Sequence, residues 1–196
     1  MKFLLLIYIS LSLSTVLRAQ KKSSQEFQSK LNQQYADTIK SPLTKEGLKK
    51  FKELPFFKID EKYIVNAHFE KADKSTPFKM KTTTNRLPSY VNYGVASFEI
   101  DGKAFLLNLY QNEIVGDNEY KDYLFLPFTD ATNGNDSYGG GRFLDLKIPD
   151  GDRIEIDFNK AYNPYCAYNH AYSCPIPPRE NDLDIRIEAG VKYESK

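Results

Sequence analysis

The sequence predicts a mainly β protein: an antiparallel sheet that closes into a barrel or sandwich, with one or two α-helices at the N-terminus. Three observations indicate this fold class. Helical periodicity is confined to residues 20–54, short segments of period two recur from residue 63 onward, and turn sequences separate them. Aromatic residues make up 14% of the chain, which supplies enough apolar surface for the core of one domain.

Residues 1–19 have the features of a secretory signal peptide. Lys2 provides a positive start, residues 3–16 are mostly apolar, and Ala19 is a small residue at the expected cleavage point. The apolar run is shorter than the roughly 20 residues that cross a bilayer, which disfavours the alternative of a retained anchor. We therefore expect an exported protein, periplasmic or secreted, with a helical segment over 20–54 and a β domain over 55–196.

Two helices are expected in the segment 20–54. Four apolar residues recur at a spacing of four: Phe27, Leu31, Tyr35 and Ile39. This spacing predicts an amphipathic helix over 20–40, with Ser24 as a candidate N-cap and Ser41-Pro42 as its end. A second, shorter helix is predicted over 44–54.

Eight strand candidates follow, recognised by alternation and by aromatic and β-branched residues. They cover residues 63–69, 77–83, 95–100, 104–110, 123–128, 142–148, 153–158 and 183–187. Asp101-Gly102 is a preferred two-residue hairpin sequence, because its turn needs the positive φ that Gly and Asp tolerate. Pro149-Asp-Gly-Asp152 predicts a second turn of this kind.

The two cysteines predict a disulfide. Cys166 and Cys174 enclose seven residues in a chain expected to enter an oxidising compartment, where a bridge would hold this one loop. A metal site is the alternative, since Cys166, His170 and Cys174 are spaced four apart. That spacing aligns the three side chains only on a helix, and flanking prolines such as Pro164 and Pro175 oppose one. We therefore expect no metal, and no motif indicates a cofactor.

Two further motifs have structural interpretations. His68 alternates with apolar neighbours, so we expect it on the solvent face of a strand and propose no triad. The glycine-rich turn Ser137-Tyr-Gly-Gly-Gly-Arg142 matches neither a Walker loop nor a dinucleotide fingerprint, and a strand follows it instead of a helix. A tight turn that lets backbone segments approach closely is preferred over a phosphate cradle.

Acidic residues provide the catalytic candidates. Alternation over 153–158 places Asp157 on the polar face of a strand, where it is expected to line a polar mouth with Asn159. Two carboxylates that flank a sugar bond would form a glycosidase arrangement. Asp and Asn residues over 130–136 are a calcium alternative, although their spacing does not match an EF-hand.

The last third of the chain contains a series of motifs in a particular order. They are Leu124-Phe-Leu-Pro-Phe-Thr-Asp-Ala-Thr132, Tyr138-Gly-Gly-Gly-Arg-Phe-Leu144, Asp157-Phe-Asn-Lys-Ala-Tyr-Asn-Pro164, Cys166, Cys174-Pro-Ile-Pro-Pro178, Glu180-Asn181 and Ile187-Glu-Ala-Gly190. The series resembles that of the bacterial and archaeal domain of unknown function 1684 family. The resemblance extends back to residue 41, and the chain departs from the pattern at Lys160, usually Arg, and at Tyr165, often a second Pro.

The resemblance implies little about activity, because the family's biochemical role is unassigned. The family pattern, carried over by position, includes Asp130, Thr132, Tyr138, Gly139, Gly141, Arg142, Asp157, Asn159, Tyr162, Asn163, Pro164, Cys166, Cys174, Pro175, Pro178, Glu180, Asn181 and Glu188. His170 is not part of this pattern, which further disfavours the metal site.

The first functional hypothesis is a β module that binds a small polar ligand, such as a glycan or a cell-envelope fragment. Its expected binding residues are Tyr138, Arg142, Asp157, Asn159, Tyr162 and Asn163, with Tyr168 nearby. Arg142 would meet an anionic group and the tyrosines would stack. The alternative for the same residues is that they form hydrogen bonds with one another beneath a loop and bind no ligand.

The second hypothesis is a carboxylate-dependent hydrolase that uses Asp157 with Glu180 or Glu188 as acid and base. Two carboxylates converging in a cleft would favour this hydrolase. The charge balance argues against a nucleic-acid partner for either hypothesis, because the chain carries 27 Lys and Arg against 26 Asp and Glu. We expect an envelope component or small polar ligand as partner, and no integral membrane anchor.

Overall fold

A computed structural model describes residues 2–113 and 120–193, with only the helical backbone described over 2–17. In these ranges the elements are α1 (Lys2–Ala36), α2 (Lys45–Lys50), β1 (Ile64–Lys71), β2 (Phe78–Lys79), β3 (Ser89–Ile100), β4 (Lys103–Asn112), β5 (Tyr123–Asp130), β6 (Arg142–Lys147), β7 (Arg153–Asp157) and β8 (Asp182–Leu183). The predicted mainly β class with N-terminal helices is confirmed.

The strands form one sheet curled into a half-barrel, in the order β6-β5-β4-β3-β1-β7. The pairings along this order are antiparallel. Two short strands join the sheet from the side: β2 pairs with β3 in antiparallel fashion, and β8 pairs with β5 in parallel. The sheet therefore places the ends of β5 and β6 close to the C-terminal segment that follows β8.

The two predicted hairpin turns differ in outcome. Asp101 (φ 52°) and Gly102 (φ 75°) join β3 and β4 directly, as predicted. The prediction at residues 149–152 is wrong, because this turn joins β6 to β7, which lie at opposite ends of the strand order. Gly151 is not among the described glycines with positive φ. Positive φ is needed in a two-residue hairpin turn between paired strands, and this turn is not one.

Strand β3 is longer than its alternation suggests. The pairing of β3 with β4 shifts register between Asn92 and Gly94, so a bulge interrupts the period of two, and the strand begins at Ser89. A Cβ atom on Gly94 would lie 2.5 Å from the Glu70 carbonyl oxygen, which explains why glycine occupies the bulge. In β1 the alternation is regular, and His68 faces solvent as predicted.

Strand β5 is covered on both faces. Leu124, Leu126 and Phe128 are wholly buried in the main core with side chains from β1, β3, β4 and β7. Phe125 faces the other way and packs in a second cluster that includes Phe143. Because side chains alternate across a strand, burial on both sides produces the nearly continuous apolar run 124–128.

Helix α1 packs in a separate apolar cluster, in which Leu31 and Tyr35 lie with Leu54 and Val191. Leu31 and Tyr35 are buried as the spacing of four predicts, but Ile39 is 89% exposed because the helix ends at Ala36. The N-cap prediction for Ser24 is wrong: the helix begins at Lys2, so Ser24 lies within it and is completely buried. Cleavage after Ala19 stays a prediction, and the side chains of residues 1–17 lie outside the described part.

Helix α2 is shorter than the predicted span of 44–54. Thr44 is its N-cap, and the Thr44 hydroxyl accepts a hydrogen bond from the backbone N–H of Gly47 at 3.0 Å. In the part of the chain whose side chains are described, no helix combines the length and apolar character needed to span a membrane.

Candidate functional site

Arg142, at the start of β6, is completely buried. Its Nη2 donates hydrogen bonds to Asp130 Oδ2 at 2.6 Å and to the Ile187 carbonyl at 2.8 Å, and its Nη1 donates to the Ala189 carbonyl. The Phe128 ring lies 5.3 Å from the guanidinium carbon. Burial lowers the pKa of Arg142, and the charge of Asp130 opposes that change. The side chain thus joins the sheet to the C-terminal segment instead of facing solvent.

Asp130 is enclosed in the same network. Its Oδ1 accepts hydrogen bonds from the backbone N–H groups of Thr132 at 2.8 Å and Ile187 at 3.2 Å. The side chain of Asn133 accepts from the Asp130 backbone N–H at 2.6 Å. Of the residues of the calcium alternative, Asp130 and Asn133 are thus linked to each other, and Asp136 pairs with Arg186 at 2.5 Å. No cluster of three or more His, Cys, Asp or Glu suited to a metal occurs among residues 18–113 and 120–193.

The glycine-rich turn before Arg142 is a close-approach turn, as predicted. Gly141 has φ 88°, and a Cβ atom there would lie 2.7 Å from the carbonyl oxygen of Phe128. Only glycine fits this combination of backbone conformation and proximity. The turn brings the start of β6 against the end of β5, which is the geometry that the Arg142–Asp130 pair needs.

Asp157 lies beneath α1, with its side chain 4% exposed. Its Oδ2 accepts a hydrogen bond from the Ser24 hydroxyl at 2.7 Å and lies 3.4 Å from Lys160 Nζ. Its Oδ1 accepts from both the backbone and side-chain N–H groups of Asn159, at 3.0 and 2.9 Å. Alternation along β7 suggested an open polar face, but the helix covers it at this position.

We expect Ser24→Ala to lower the free energy of unfolding by about 1–2 kcal/mol, because a buried carboxylate oxygen loses its hydroxyl donor. Urea unfolding of the variant and the parent measures the loss. Ser23→Ala is the matched control, since Ser23 precedes it on the exposed side of the same helix. Equal stability of both variants would show that this hydrogen bond does not hold α1 to the sheet.

Asn159 and Asn163 are both buried and fasten loops. The Asn159 side chain accepts from the Asp60 backbone N–H and donates to the Asp60 carbonyl, both at 3.0 Å. Asn163 Nδ2 donates to the Tyr168 hydroxyl at 2.9 Å and to the Lys192 carbonyl at 3.3 Å. These contacts fasten both side chains to neighbouring loops, although the buried Asn163 Oδ1 atom has no hydrogen-bond partner among the described residues.

The remaining candidate residues, Tyr138, Glu180 and Glu188, are more exposed, and each has different neighbours. Tyr138 is partly exposed and packs edge to face on Tyr193, with ring centroids 5.2 Å apart. Glu188 pairs with Arg186 at 2.9 Å, and Glu180 is exposed in a short 3-10 turn near β4 and β5. The three catalytic candidates thus have separate surroundings, with Asp157 beneath α1, and a hydrolase that uses them stays a prediction.

The predicted disulfide is wrong: Cys166 and Cys174 are both free thiols, and both are buried. Noncovalent contacts hold this loop instead. The Cys166 backbone N–H donates to Cys174 Sγ at 3.1 Å, and the Cys174 backbone pairs with Thr83 through two hydrogen bonds. Burial raises the pKa of the Cys174 thiol, so the sulfur stays protonated near neutral pH. The spacing permitted a bridge, but the fold does not depend on it.

A pocket of about 450 Å³ opens where α1, the sheet and the loop 162–175 meet; we call it the aromatic pocket. Aromatic rings from all three parts line it: Phe27 from α1, Tyr90 from β3, Tyr123 and Phe125 from β5, and Tyr162 and Tyr172 from the loop. Of the six residues predicted to bind ligand, Tyr162 lines this pocket, whereas Arg142, Asp157, Asn159 and Asn163 support the surrounding backbone.

Asp145 of β6 is the carboxylate of the aromatic pocket. The hydroxyls of Tyr123 and Tyr162 both donate to its Oδ1, each at 2.7 Å, while the side chain remains exposed. Burial raises the pKa of each tyrosine, and the neighbouring carboxylate raises it further, so both phenols remain protonated donors. The pocket therefore combines flat apolar surfaces with an accessible acceptor.

Two other polar groups lie at the aromatic pocket. Arg86 donates from Nη2 to the Ser173 carbonyl at 2.8 Å and from Nε to the Ser173 hydroxyl at 3.2 Å. Gln34 of α1 donates to the Tyr165 hydroxyl at 2.6 Å, which links the helix to the loop. Sequence reasoning did not select Asp145 or Arg86 as site residues, because a charged residue on a strand or loop resembles an ordinary surface residue.

Comparisons with known proteins agree with this architecture. The family model described as "Protein of unknown function (DUF1684)" matches residues 49–192. The solution NMR structure of an uncharacterized protein from Haloarcula marismortui is similar, with 30% sequence identity and a TM-score of 0.71. The match covers 90% of this chain and 95% of that chain. No curated protein matches the sequence.

Proposed function

Since this chain belongs to the DUF1684 family, whose function is unknown, its role has to be inferred from its own geometry, and we propose that it is a β module that binds a small polar ligand. The ligand class is a glycan or a cell-envelope fragment. The observation that carries this proposal is the aromatic pocket, in which several tyrosine and phenylalanine rings surround one exposed carboxylate.

The chemistry of the pocket suits a sugar ring. Such a ring has apolar C–H faces and an edge of hydroxyl groups. Aromatic side chains such as Tyr172 offer a surface for the faces, and Asp145 and Gln34 offer polar atoms for the edge. The volume of about 450 Å³ falls within the range of roughly 300–1,000 Å³ that is usual for small-molecule sites.

The walls of the pocket have different origins. The sheet and the loop 162–175 lie inside the region of the family match, whereas the wall formed by Phe27, Leu31 and Gln34 lies outside residues 49–192. This arrangement supports the proposal that the family domain provides the binding scaffold. The helix then adjusts the shape of the site in this chain.

Export to the periplasm or beyond is part of the proposal, and the features of residues 1–19 support it. An exported protein encounters envelope fragments, which are among the ligands proposed for the pocket. The near balance of 27 basic and 26 acidic residues favours such ligands over nucleic acid.

We expect Tyr172→Ala to weaken binding by about tenfold, because the pocket loses a stacking surface. A thermal-shift screen of the full chain against sugars and peptidoglycan fragments identifies a ligand, and calorimetry then gives its affinity for each variant. Tyr172 is 36% exposed, so its removal should leave the fold intact.

Tyr93→Ala is the matched control, since Tyr93 is a partly buried tyrosine that stacks on Phe69 outside the pocket. Its ligand affinity should equal that of the parent. The proposal fails if no compound in the screen raises the melting temperature, or if Tyr172→Ala binds as tightly as the parent does.

A further inference from the structure

We propose that the ligand of the aromatic pocket carries a cationic amino group that pairs with Asp145, as an amino sugar does. This inference rests on the proposed function and names its ligand class more closely. It begins from a difference between Asp145 and four other carboxylates of the motif region, which are Asp130, Asp136, Asp157 and Glu188.

Each of those four carboxylates has a cation as its partner. Asp130 pairs with Arg142 at 2.6 Å, and Asp157 lies 3.4 Å from Lys160. Arg186 serves both Asp136, at 2.5 Å, and Glu188, at 2.9 Å. Each charge is thus compensated within the fold.

Asp145 is bound only by neutral donors in the described parts of the chain. The hydroxyls of Tyr123 and Tyr162 share its Oδ1, and no Lys or Arg nitrogen among residues 18–113 and 120–193 lies within ion-pair distance. Lys147, two residues further along β6, pairs instead with Asp122 at 3.2 Å. The carboxylate therefore presents an uncompensated negative charge to the pocket, with Oδ2 directed to no described donor.

The surrounding rings favour a cation over a neutral group. The face of an aromatic ring carries partial negative charge and attracts an ammonium group placed over it. Tyr123, Tyr162 and Tyr165 line the same pocket as Asp145, and the pKa of each phenol is raised by burial and, to a lesser extent, by the Asp145 charge. These phenols remain protonated and neutral, so they do not take a proton from the ammonium group of the ligand.

Arg86 is the cationic side chain of the pocket lining among the described residues, and it forms no ion pair with Asp145. Its guanidinium is fastened to Ser173, and its charge lowers the pKa values of Tyr90 and Cys174, although burial raises both by more. A ligand cation is repelled by Arg86 and attracted by Asp145. The two charges therefore favour an amino sugar bound with its ammonium group at Asp145.

The test compares two oligosaccharides of equal length: β-1,4-linked glucosamine, which is cationic, and its N-acetylated counterpart, which is neutral. Calorimetry is performed with the full chain at mildly acidic pH, where the amine is protonated and an ordinary carboxylate stays ionised. We expect the parent to bind the cationic form about tenfold more tightly or better. Asp145→Asn should abolish this preference.

Asp145→Asn keeps an acceptor oxygen for both tyrosine hydroxyls, so the variant should melt near the parent temperature. Asp150→Asn is the matched control, since it removes an equal charge from an exposed position in the loop that follows β6. The control should retain the full preference for the cationic oligosaccharide.

The outcomes separate this inference from the proposed function. If the parent binds both oligosaccharides equally, or if Asp145→Asn keeps the preference, the amino-group inference is overturned and a glycan-binding pocket stands. If neither oligosaccharide binds while an uncharged ligand binds in a Tyr172-dependent manner, the inference is likewise overturned. If no ligand binds at all, both proposals fail.

Discussion

Replacement of Arg142 by Met is expected to lower the free energy of unfolding by about 3–5 kcal/mol, the largest effect we predict. The substitution leaves the Asp130 carboxyl group without its cation in the interior, where its side chain is completely inaccessible to solvent. It also removes the donors to the carbonyl groups of Ile187 and Ala189. Methionine fills much of the space, so the loss arises from unsatisfied polar groups and not from a cavity.

Urea unfolding monitored by circular dichroism measures this loss. The matched control is Arg186→Met, which removes an exposed arginine that also forms two charged contacts. The control should change stability far less, because exposed ion pairs contribute little. If the two variants lose equal stability, the buried pair is not the support that the geometry indicates.

A second replacement tests the same argument from the other partner. Arg142→Met combined with Asp130→Leu removes both charges, so the penalty for an isolated buried carboxylate disappears. We expect the double variant to recover part of the stability lost in Arg142→Met. A double variant less stable than the single one would contradict this explanation.

Gly190→Ala is expected to lower the free energy of unfolding by about 2–4 kcal/mol. Gly190 has φ 77°, a conformation that costs energy for a residue with a side chain. Its added Cβ would also lie 2.5 Å from the Ala161 carbonyl oxygen and 2.9 Å from that of Phe158. Neither backbone oxygen can move without disturbing the turn that positions Tyr162.

Gly102→Ala isolates the conformational part of this cost. Gly102 has a similar φ of 75°, but an added Cβ there would meet no atom within 4 Å. Its stability loss should be about 1–2 kcal/mol, the cost of the left-handed conformation alone. Unfolding curves of the two variants give the difference, and equal losses would show that the close approach at Gly190 costs nothing.

Residue types alone do not show which polar side chains are already engaged by the fold. Asp157, Asn159 and Asn163 are predicted to bind ligand because polar residues in dense motifs often do, and in the structure each also forms hydrogen bonds with distant backbone or side-chain groups. Asp145 alternates with Leu144 and Leu146 as any surface carboxylate on a strand does. Its two tyrosine donors, and the lack of a cation partner among the described residues, distinguish it.

The sequence by itself determined the features that depend on neighbouring residues. The class of fold, the approximate positions of most of the strands, the hairpin at Asp101-Gly102 and the burial of Leu31 and Tyr35 follow from local periodicity and local backbone preference, whereas β2 and β8 are only two residues long where longer strands were predicted. The order of the motifs likewise identified the family. These properties require no knowledge of which distant segments meet.

The tertiary structure alone decided which segments meet. Strand β7 lies beside β1 and not beside β6, and α1 covers Asp157 through Ser24, which is 133 residues away. The aromatic pocket has the same origin, since its walls come from the helix, the sheet and the loop. The physical reason is that burial and charge compensation are set by contacts between distant residues, and local sequence patterns do not encode them.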